Sequence, residues 1–281
     1  MSTRISATCL ALVLCAAGRA DAQPLQERFL TLVQAQGVAG REASVRDAVR
    51  AQLPRWAAPR VDELGNLVVT IGSGEPSVVL VAGLDEGGHV VSRVTDDGYL
   101  RLHRHTASPP NRLADQFVLG QPVMIQTSTG TLVPGVTATE STHLRTFLGT
   151  AANERIRDVQ DLWVDVGASS AAEVERLGIR LLDPVALRER AQALADGRVA
   201  GVSSRTRAGA QTLVELVRGY AAAPAVTGTV TLAWVTQTAF GGRGLARLAQ
   251  EVRADRAVVL MPPPRRWAPP RSRPRPSTAT A

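Results

Sequence analysis

The residues Ser77-Val78-Val79-Leu80-Val81-Ala82 constrain the fold more than any other stretch of this chain. They form an apolar run of strand length with no polar alternation. Such a run belongs in a sheet that is covered by helices on both faces. Its surroundings agree. From Leu25 to Leu53 apolar residues recur at helical spacing (Leu25, Phe29, Leu32, Val33, then Val45, Val49 and Leu53 beyond a Gly37–Gly40 break), with Ser44 as a candidate cap of the second helix. Leu67 to Ile71 reads as a short strand. Val90-Val91 and Tyr99–Leu102 flank Asp96-Asp97-Gly98, and Val123–Gln126 and Thr131–Val136 flank Ser128-Thr129-Gly130; both are hairpin signals. Ala171–Leu177 and Pro184–Ala195 read as helices, followed by a longer amphipathic helix over Arg207–Tyr220. Gly228–Val235 is a strand, Gly244–Arg253 a helix and Ala257–Leu260 a last strand. Helix–strand alternation at both ends around a β-rich middle predicts an α/β domain interrupted by a β-rich insert.

The 281 residues suffice for a sizeable core in one or two domains. The formal charge of +7 is misleading until mapped. There is no lysine. Residues 262–281 carry Arg265, Arg266, Arg271, Arg273 and Arg275 without an acid, and residues 23–261 are close to neutral. A phosphate-binding groove, and with it a nucleic-acid partner, is not indicated. The 4% aromatic content also argues against a stacking surface for single strands. No uninterrupted apolar run reaches the roughly 18 residues of a membrane-spanning helix.

The two ends differ in kind. Residues 1–22 read as an export signal. Arg4 supplies the positive start, Ile5–Ala17 the apolar stretch and Ala20-Asp21-Ala22 the cleavage site, so a mature chain would begin near Gln23 in the periplasm or outside the cell. Both cysteines, Cys9 and Cys15, lie inside this segment. Residues 262–281, rich in proline and arginine, read as a disordered, extended tail.

A resemblance joins these pieces. Gly37-Val38-Ala39-Gly40-Arg41-Glu42, followed by Asp62-Glu63-Leu64-Gly65-Asn66, resembles the "SG-x-E" and "D-x-x-G-N" opening of the glutamyl/deblocking metallo-aminopeptidases, which include the tetrahedral dodecameric enzymes. Ala82-Gly83-Leu84-Asp85-Glu86-Gly87-Gly88 is similar to their "A-H-x-D-E-x-G". Asp96-Asp97-Gly98-Tyr99-Leu100 resembles their "D-x-D-G-x-L". Leu162-Trp163-Val164-Asp165-Val166-Gly167-Ala168 and Leu177-Gly178-Ile179 resemble a further segment. Arg207-Ala208-Gly209 and Gly241-Gly242-Arg243-Gly244 match the ends of two more motifs. The order holds from about Leu25 to Leu260. The resemblance implies a zinc-peptidase-like three-layer α/β/α domain over 23–96 and 198–261, with a smaller β-barrel-like insert over 97–197 that could pair subunits into a homo-oligomer.

The family's chemistry needs two adjacent divalent ions, typically zinc or cobalt, that make hydroxide available at neutral pH. The resemblance places its first histidine ligand at Gly83, which has no donor. The bridging aspartate falls on Arg205, or on Ser203 or Ser204 in a shifted register. Thr238 occupies the place of the glutamate base and Ala239 that of the next glutamate ligand. Leu260 or Met261 stands where an aspartate is expected, and the final histidine has no counterpart. Asp85 alone is kept, at a position that in the family orients the ligand histidine. No cofactor is therefore expected. A substitute metal site would have to use His89, His103, His105 and His143. His103 and His105 share a strand face but lack an evident third ligand, so a solvent-facing pair is the simpler account. Other catalytic arrangements fare no better. Ser203-Ser204 has no nearby histidine, Asp85 and Glu86 should face opposite ways, Asp96-Asp97-Gly98 is turn chemistry, and Gly241–Gly244 is a strand-to-helix turn.

Three readings of function follow. The first is an exported aminopeptidase homologue without catalysis that retains the scaffold and either a peptide-binding cleft or an assembly surface. The second is an active metal-dependent hydrolase with relocated ligands. The third is the truncated product of a damaged gene, since arginine–proline repetition begins just where the resemblance ends.

Overall fold

The structure, a computed structural model, describes residues 22–105, 117–139, 159–220 and 222–260. The expected export signal (but for Ala22), the proline–arginine tail and His143 lie outside the described residues.

In chain order, helices α1 (Ala22–Gln34) and α2 (Ala43–Gln52) precede strands β1 (Arg60–Val61), β2 (Leu67–Ser73) and β3 (Ser77–Gly83). Six strands follow: β4 (Gly88–Val94), β5 (Leu100–His105), β6 (Pro122–Gln126), β7 (Leu132–Ala138), β8 (Trp163–Asp165) and, after helix α3 (Ala171–Arg176), β9 (Pro184–Leu187). The chain then forms β10 (Ala191–Ala193), β11 (Val199–Gly201), α4 (Ser204–Arg218), β12 (Gly228–Val235), α5 (Arg243–Glu251) and β13 (Arg256–Val259).

Five strands make one mixed sheet in the order β1-β2-β12-β3-β13. The apolar run of β3 lies between β12 and β13 and is parallel to both. Strand alternation sorts its neighbours onto two faces. Leu67, Val69, Ile71, Leu232 and Trp234 pack with Leu32, Val45, Val49, Leu213, Val214 and Val217 of α1, α2 and α4. Val68, Val79, Val81, Ala233 and Val235 pack with Leu248 of α5. The result is a three-layer α/β/α domain. Trp234 is fully buried, and its indole Nε1–H donates to the Ala210 carbonyl at 2.9 Å, tying the central strand to α4. Arg28 of α1 makes a two-pronged pair with Glu215 of α4 at 2.9 and 2.8 Å.

The second unit is a closed barrel, β4-β5-β8-β7-β6-β9. Closure leaves no free sheet edge around the ring. Its interior is filled by Val91, Leu100, Leu102, Val123, Ile125, Val133, Val164 and Val185, and Val174 and Ile179 from the α3 region join them. The hairpin signals hold. β4 and β5 pair antiparallel around the turn at Gly98 (φ 87°), which lies against the Ala168 carbonyl, and β6 and β7 pair around Gly130. The barrel's first strand, Gly88–Val94, precedes the Asp96–Gly98 turn.

Two local readings are corrected. Pro184–Ala195 is not a helix but strands β9 and β10. Its alanines, glutamate and arginines favour helix on propensity, yet Val185 must face the barrel interior and β9 must bridge β4 and β6 to close the ring, so tertiary pairing prevails. Ser44 does not cap α2; Glu42 stands at the cap position and the Ser44 hydroxyl accepts a bond from Gln126 at 3.3 Å. Among the described residues no helix is long and apolar enough to cross a membrane.

Replacing Trp234 by Ala removes the largest fully buried side chain of the sheet. We expect a loss of about 3–5 kcal/mol in urea unfolding, and a smaller loss for Trp234→Phe, which keeps the ring and loses the bond to Ala210.

Candidate functional site

The parallel pairing of β3 with β12 ends at Gly83 opposite Val235, so the loops that leave these two strands emerge side by side. That is the edge of a sheet where α/β proteins place their sites. The loop after β3 brings Leu84, Asp85 and Glu86; the loop after β12 brings Thr236 to Phe240. The start of α4 brings Thr206 against Gly83.

Asp85 is 3% exposed and its carboxylate is fully engaged. Its Oδ1 accepts from the Thr238 backbone N–H at 3.0 Å and from the Thr238 hydroxyl at 2.6 Å, and its Oδ2 accepts from the Ala239 N–H at 2.7 Å. A side chain grown on Gly83 would meet Thr238 Cγ2 at 3.3 Å and Thr206 Cγ2 at 3.6 Å. The structure thus gathers Gly83, Asp85, Thr238 and Ala239 at one place. Of the other two positions, Arg205 is exposed on the first turn of α4, and Leu260 follows β13, donating its N–H to the Val81 carbonyl at 2.8 Å.

Glu42 faces the same loop. Its Oε1 accepts from Gly40 N–H at 2.8 Å and from Gln237 N–H at 2.9 Å. Burial pushes its carboxyl above the ordinary value, and the nearby charge of Asp85 adds to the rise. Gln237 itself is held at φ 51°, a left-handed conformation costly for a side chain of this kind. Asn66 braces the start of the loop, accepting from Thr236 N–H at 2.9 Å while its amide donates to Asp62 at 2.7 Å.

Glu86 turns to other partners, as adjacent residues on an extended segment should. Its carboxylate accepts from Arg190 and from the Gly37 N–H (3.2 Å) and lies 3.6 Å from Arg207 Nη2. All three charged side chains are buried: the side chain of Glu86 is 1% exposed, that of Arg190 3% and that of Arg207 0%. Burial depresses the Arg207 pKa, and Glu86 opposes that depression. Arg207 reaches this place because Gly37 has no side chain; a Cβ there would sit 2.6 Å from Nη2. The family resemblance had pointed to Arg207, but Arg190 carries no sequence signal beyond its charge.

The histidines do not converge. His103 is exposed on β5. His105 is not the solvent-facing partner expected for it: its ring packs edge-on against Phe240 with centroids 4.7 Å apart, and its Nε2 contacts the Ala39 carbonyl at 3.0 Å. His89 is buried beside Arg104, which lowers its pKa to about 4 through desolvation first and charge second. Among the described residues no group of three or more His, Cys, Asp or Glu side chains is placed to hold a metal ion.

Glu86→Gln would leave two buried guanidiniums without their countercharge. We expect a loss of about 3–5 kcal/mol in chemical denaturation, more than for removal of any exposed pair. Glu42→Gln keeps the accepting Oε1 and removes the burial cost of the charge. For a carboxyl with a raised folded pKa the unfolded chain releases its proton first, so stability falls as pH climbs from the ordinary 4.5 through the raised value. The variant should therefore melt higher than the parent at pH 8, and the difference should vanish by pH 4 when melting curves are compared.

With this geometry in hand, comparison with known proteins is informative. The Escherichia coli (strain K12) protein SgcX is 27% identical over 244 residues, which cover 84% of this chain and 62% of that protein. The glutamyl aminopeptidase of Lactococcus lactis is 30% identical over 159 residues, 55% of this chain and 43% of the enzyme. The chain thus spans less than two thirds of the length of these relatives. Among solved structures, the Pyrococcus horikoshii TET1 peptidase, described as able to assemble into a tetrahedron or a large octahedral shell, superposes with a TM-score of 0.73 at 25% identity, over 84% of this chain and 68% of that one. The sequence pattern described as M42 glutamyl aminopeptidase matches residues 65–261, which span β2, β3, the barrel, α4, β12 and the loop that clasps Asp85. The chain belongs to the M42 glutamyl aminopeptidase family.

Proposed function

We propose that this chain is a member of the metallo-aminopeptidase family that does not hydrolyse peptides and that uses the surface around the Asp85 clasp to bind them. The single observation that carries the reading is the clasp on Asp85. Both of its oxygens are taken by protein donors from Thr238 and Ala239, and the ground beside Gly83 is occupied by threonine methyl groups. On this reading Gly83, Arg205, Thr238, Ala239 and Leu260 stand at the family's ligand and base positions. The donor set does not fit a pair of divalent ions: a glycine, an alanine, a leucine, an arginine and a threonine hydroxyl already spent on Asp85 offer no anionic or imidazole ligand. No hydrolytic step is assigned.

Three further parts of the proposal rest on sequence and kinship. Residues 1–22 direct export and are removed near Ala22. The barrel provides the surface through which copies of the chain associate, a reading supported by the assembly described for the Pyrococcus horikoshii TET1 peptidase. The surface beside the Thr236–Phe240 loop, where Thr238 is exposed and Gln237 left-handed, receives the peptide.

Elemental analysis of the dialysed full chain, combined with assays on aminoacyl p-nitroanilides in added zinc, cobalt or manganese, tests the central claim. We expect substoichiometric metal and no chelator-sensitive release of nitroaniline. Stoichiometric metal that supports such release would establish relocated ligands instead and overturn the reading.

A further inference from the structure

One side of the barrel carries an open depression of about 320 Å³ lined by Val94, Ala171 and Leu181, with the buried Val174 and Ile179 at its floor. Only two ionisable side chains complete the lining, Glu175 and Arg180. Among the described residues neither side chain has an ion pair or hydrogen bond, and they do not pair with each other. Opposite charges therefore stand on one apolar cavity, too far apart to neutralise one another.

The walls are preformed. The Ile179 N–H donates to the Val174 carbonyl, joining the loop to α3. The buried Asp183 accepts from the Arg180 N–H at 2.8 Å, and Val91 bonds the loop backbone twice, accepting from Leu182 N–H at 2.8 Å and donating to Asp183 O at 3.0 Å. Leu182 is held at φ 68° within this bonded loop. Leu181, part of the lining, is 59% exposed and leaves an apolar lip at the opening.

We propose that this cavity binds a free apolar α-amino acid. The side chain lies against Val94, Ala171 and Leu181 over the buried Val174 and Ile179, the α-carboxylate meets Arg180 and the α-ammonium meets Glu175. The volume sits at the low end of small-molecule sites and suits a single residue rather than an extended peptide. Only a small zwitterion presents both charges together with an apolar group, which is the pattern of the lining. The site lies on the barrel, away from the Asp85 clasp, and the inference does not rest on the absence of hydrolysis.

Calorimetric titration of the full chain with L-leucine, N-acetyl-L-leucine, L-leucinamide and L-leucyl-L-leucine tests it. L-leucine should saturate with a dissociation constant of about 1 mM, the scale expected for so few atoms. Each blocked derivative should bind roughly three- to tenfold more weakly, because one rim charge contact is lost. Arg180→Gln should abolish the preference for L-leucine over L-leucinamide, and Glu175→Gln the preference over N-acetyl-L-leucine. Ala171→Trp should fill the cavity and remove binding; because Ala171 is exposed, its melting curve should match the parent and so separate loss of the site from loss of the fold. Absence of saturation, blocked derivatives that bind as well as L-leucine, a dipeptide that binds more tightly, or an unaffected Ala171→Trp variant would each overturn the proposal.

Discussion

One buried carboxylate holds the two units of this protein in register. Glu86 lies where the chain leaves β3 for the barrel, and Arg190 lies where it has just left the barrel after β9. Arg207 belongs to α4, which covers the sheet, and Gly37 to the loop between α1 and α2. The Glu86 side chain therefore joins both crossings between barrel and sheet to the helical layer. The arrangement is not a cheap source of stability. Two guanidiniums and a carboxylate are removed from water, and their mutual attraction must first offset that cost. What it supplies is geometry: a shift at either crossing would leave a charge buried and unmatched.

The same logic, on a smaller scale, governs the neighbouring Asp85. A carboxylate at 3% exposure must find donors, and three come from the Thr238–Ala239 segment. The parallel pairing of β3 and β12 brings the two loops together, and the clasp then fixes the loop after β12. Glu42 reinforces it from the other side through the Gln237 N–H, at the expense of a carboxyl pushed above its ordinary pKa. The region is thus held by a closed set of internal bonds, and the strained backbone of Gln237 is kept in place by them.

Much of this architecture was legible in the order of residues. The β3 run, the hairpins at Gly98 and Gly130, the alternation of Leu67, Val68 and Val69, and the amphipathic repeat of α4 each follow a local rule that burial later rewards. The strands at Pro184–Leu187 and Ala191–Ala193 were not legible, because their residues favour a helix and only tertiary pairing recruits them, the first into the ring and the second against Val199–Gly201. The fate of His105 was hidden for a similar reason. Its partner Phe240 is 135 positions away in sequence and arrives through the loop after β12.

Sequence alone determined the fold class and the layering of helices about a sheet. These depend on periodicity and side-chain type, which are properties of short segments, whereas Gly83, Asp85, Thr238 and Ala239 were linked only as an expectation from the family resemblance. Only the tertiary structure decided that Asp85 is clasped by the very residues aligned with it, that Glu86 faces two arginines from distant segments, and that Glu175 and Arg180 stand unpaired on one apolar cavity. Those facts are distances between segments far apart along the chain, and packing, not composition, sets them.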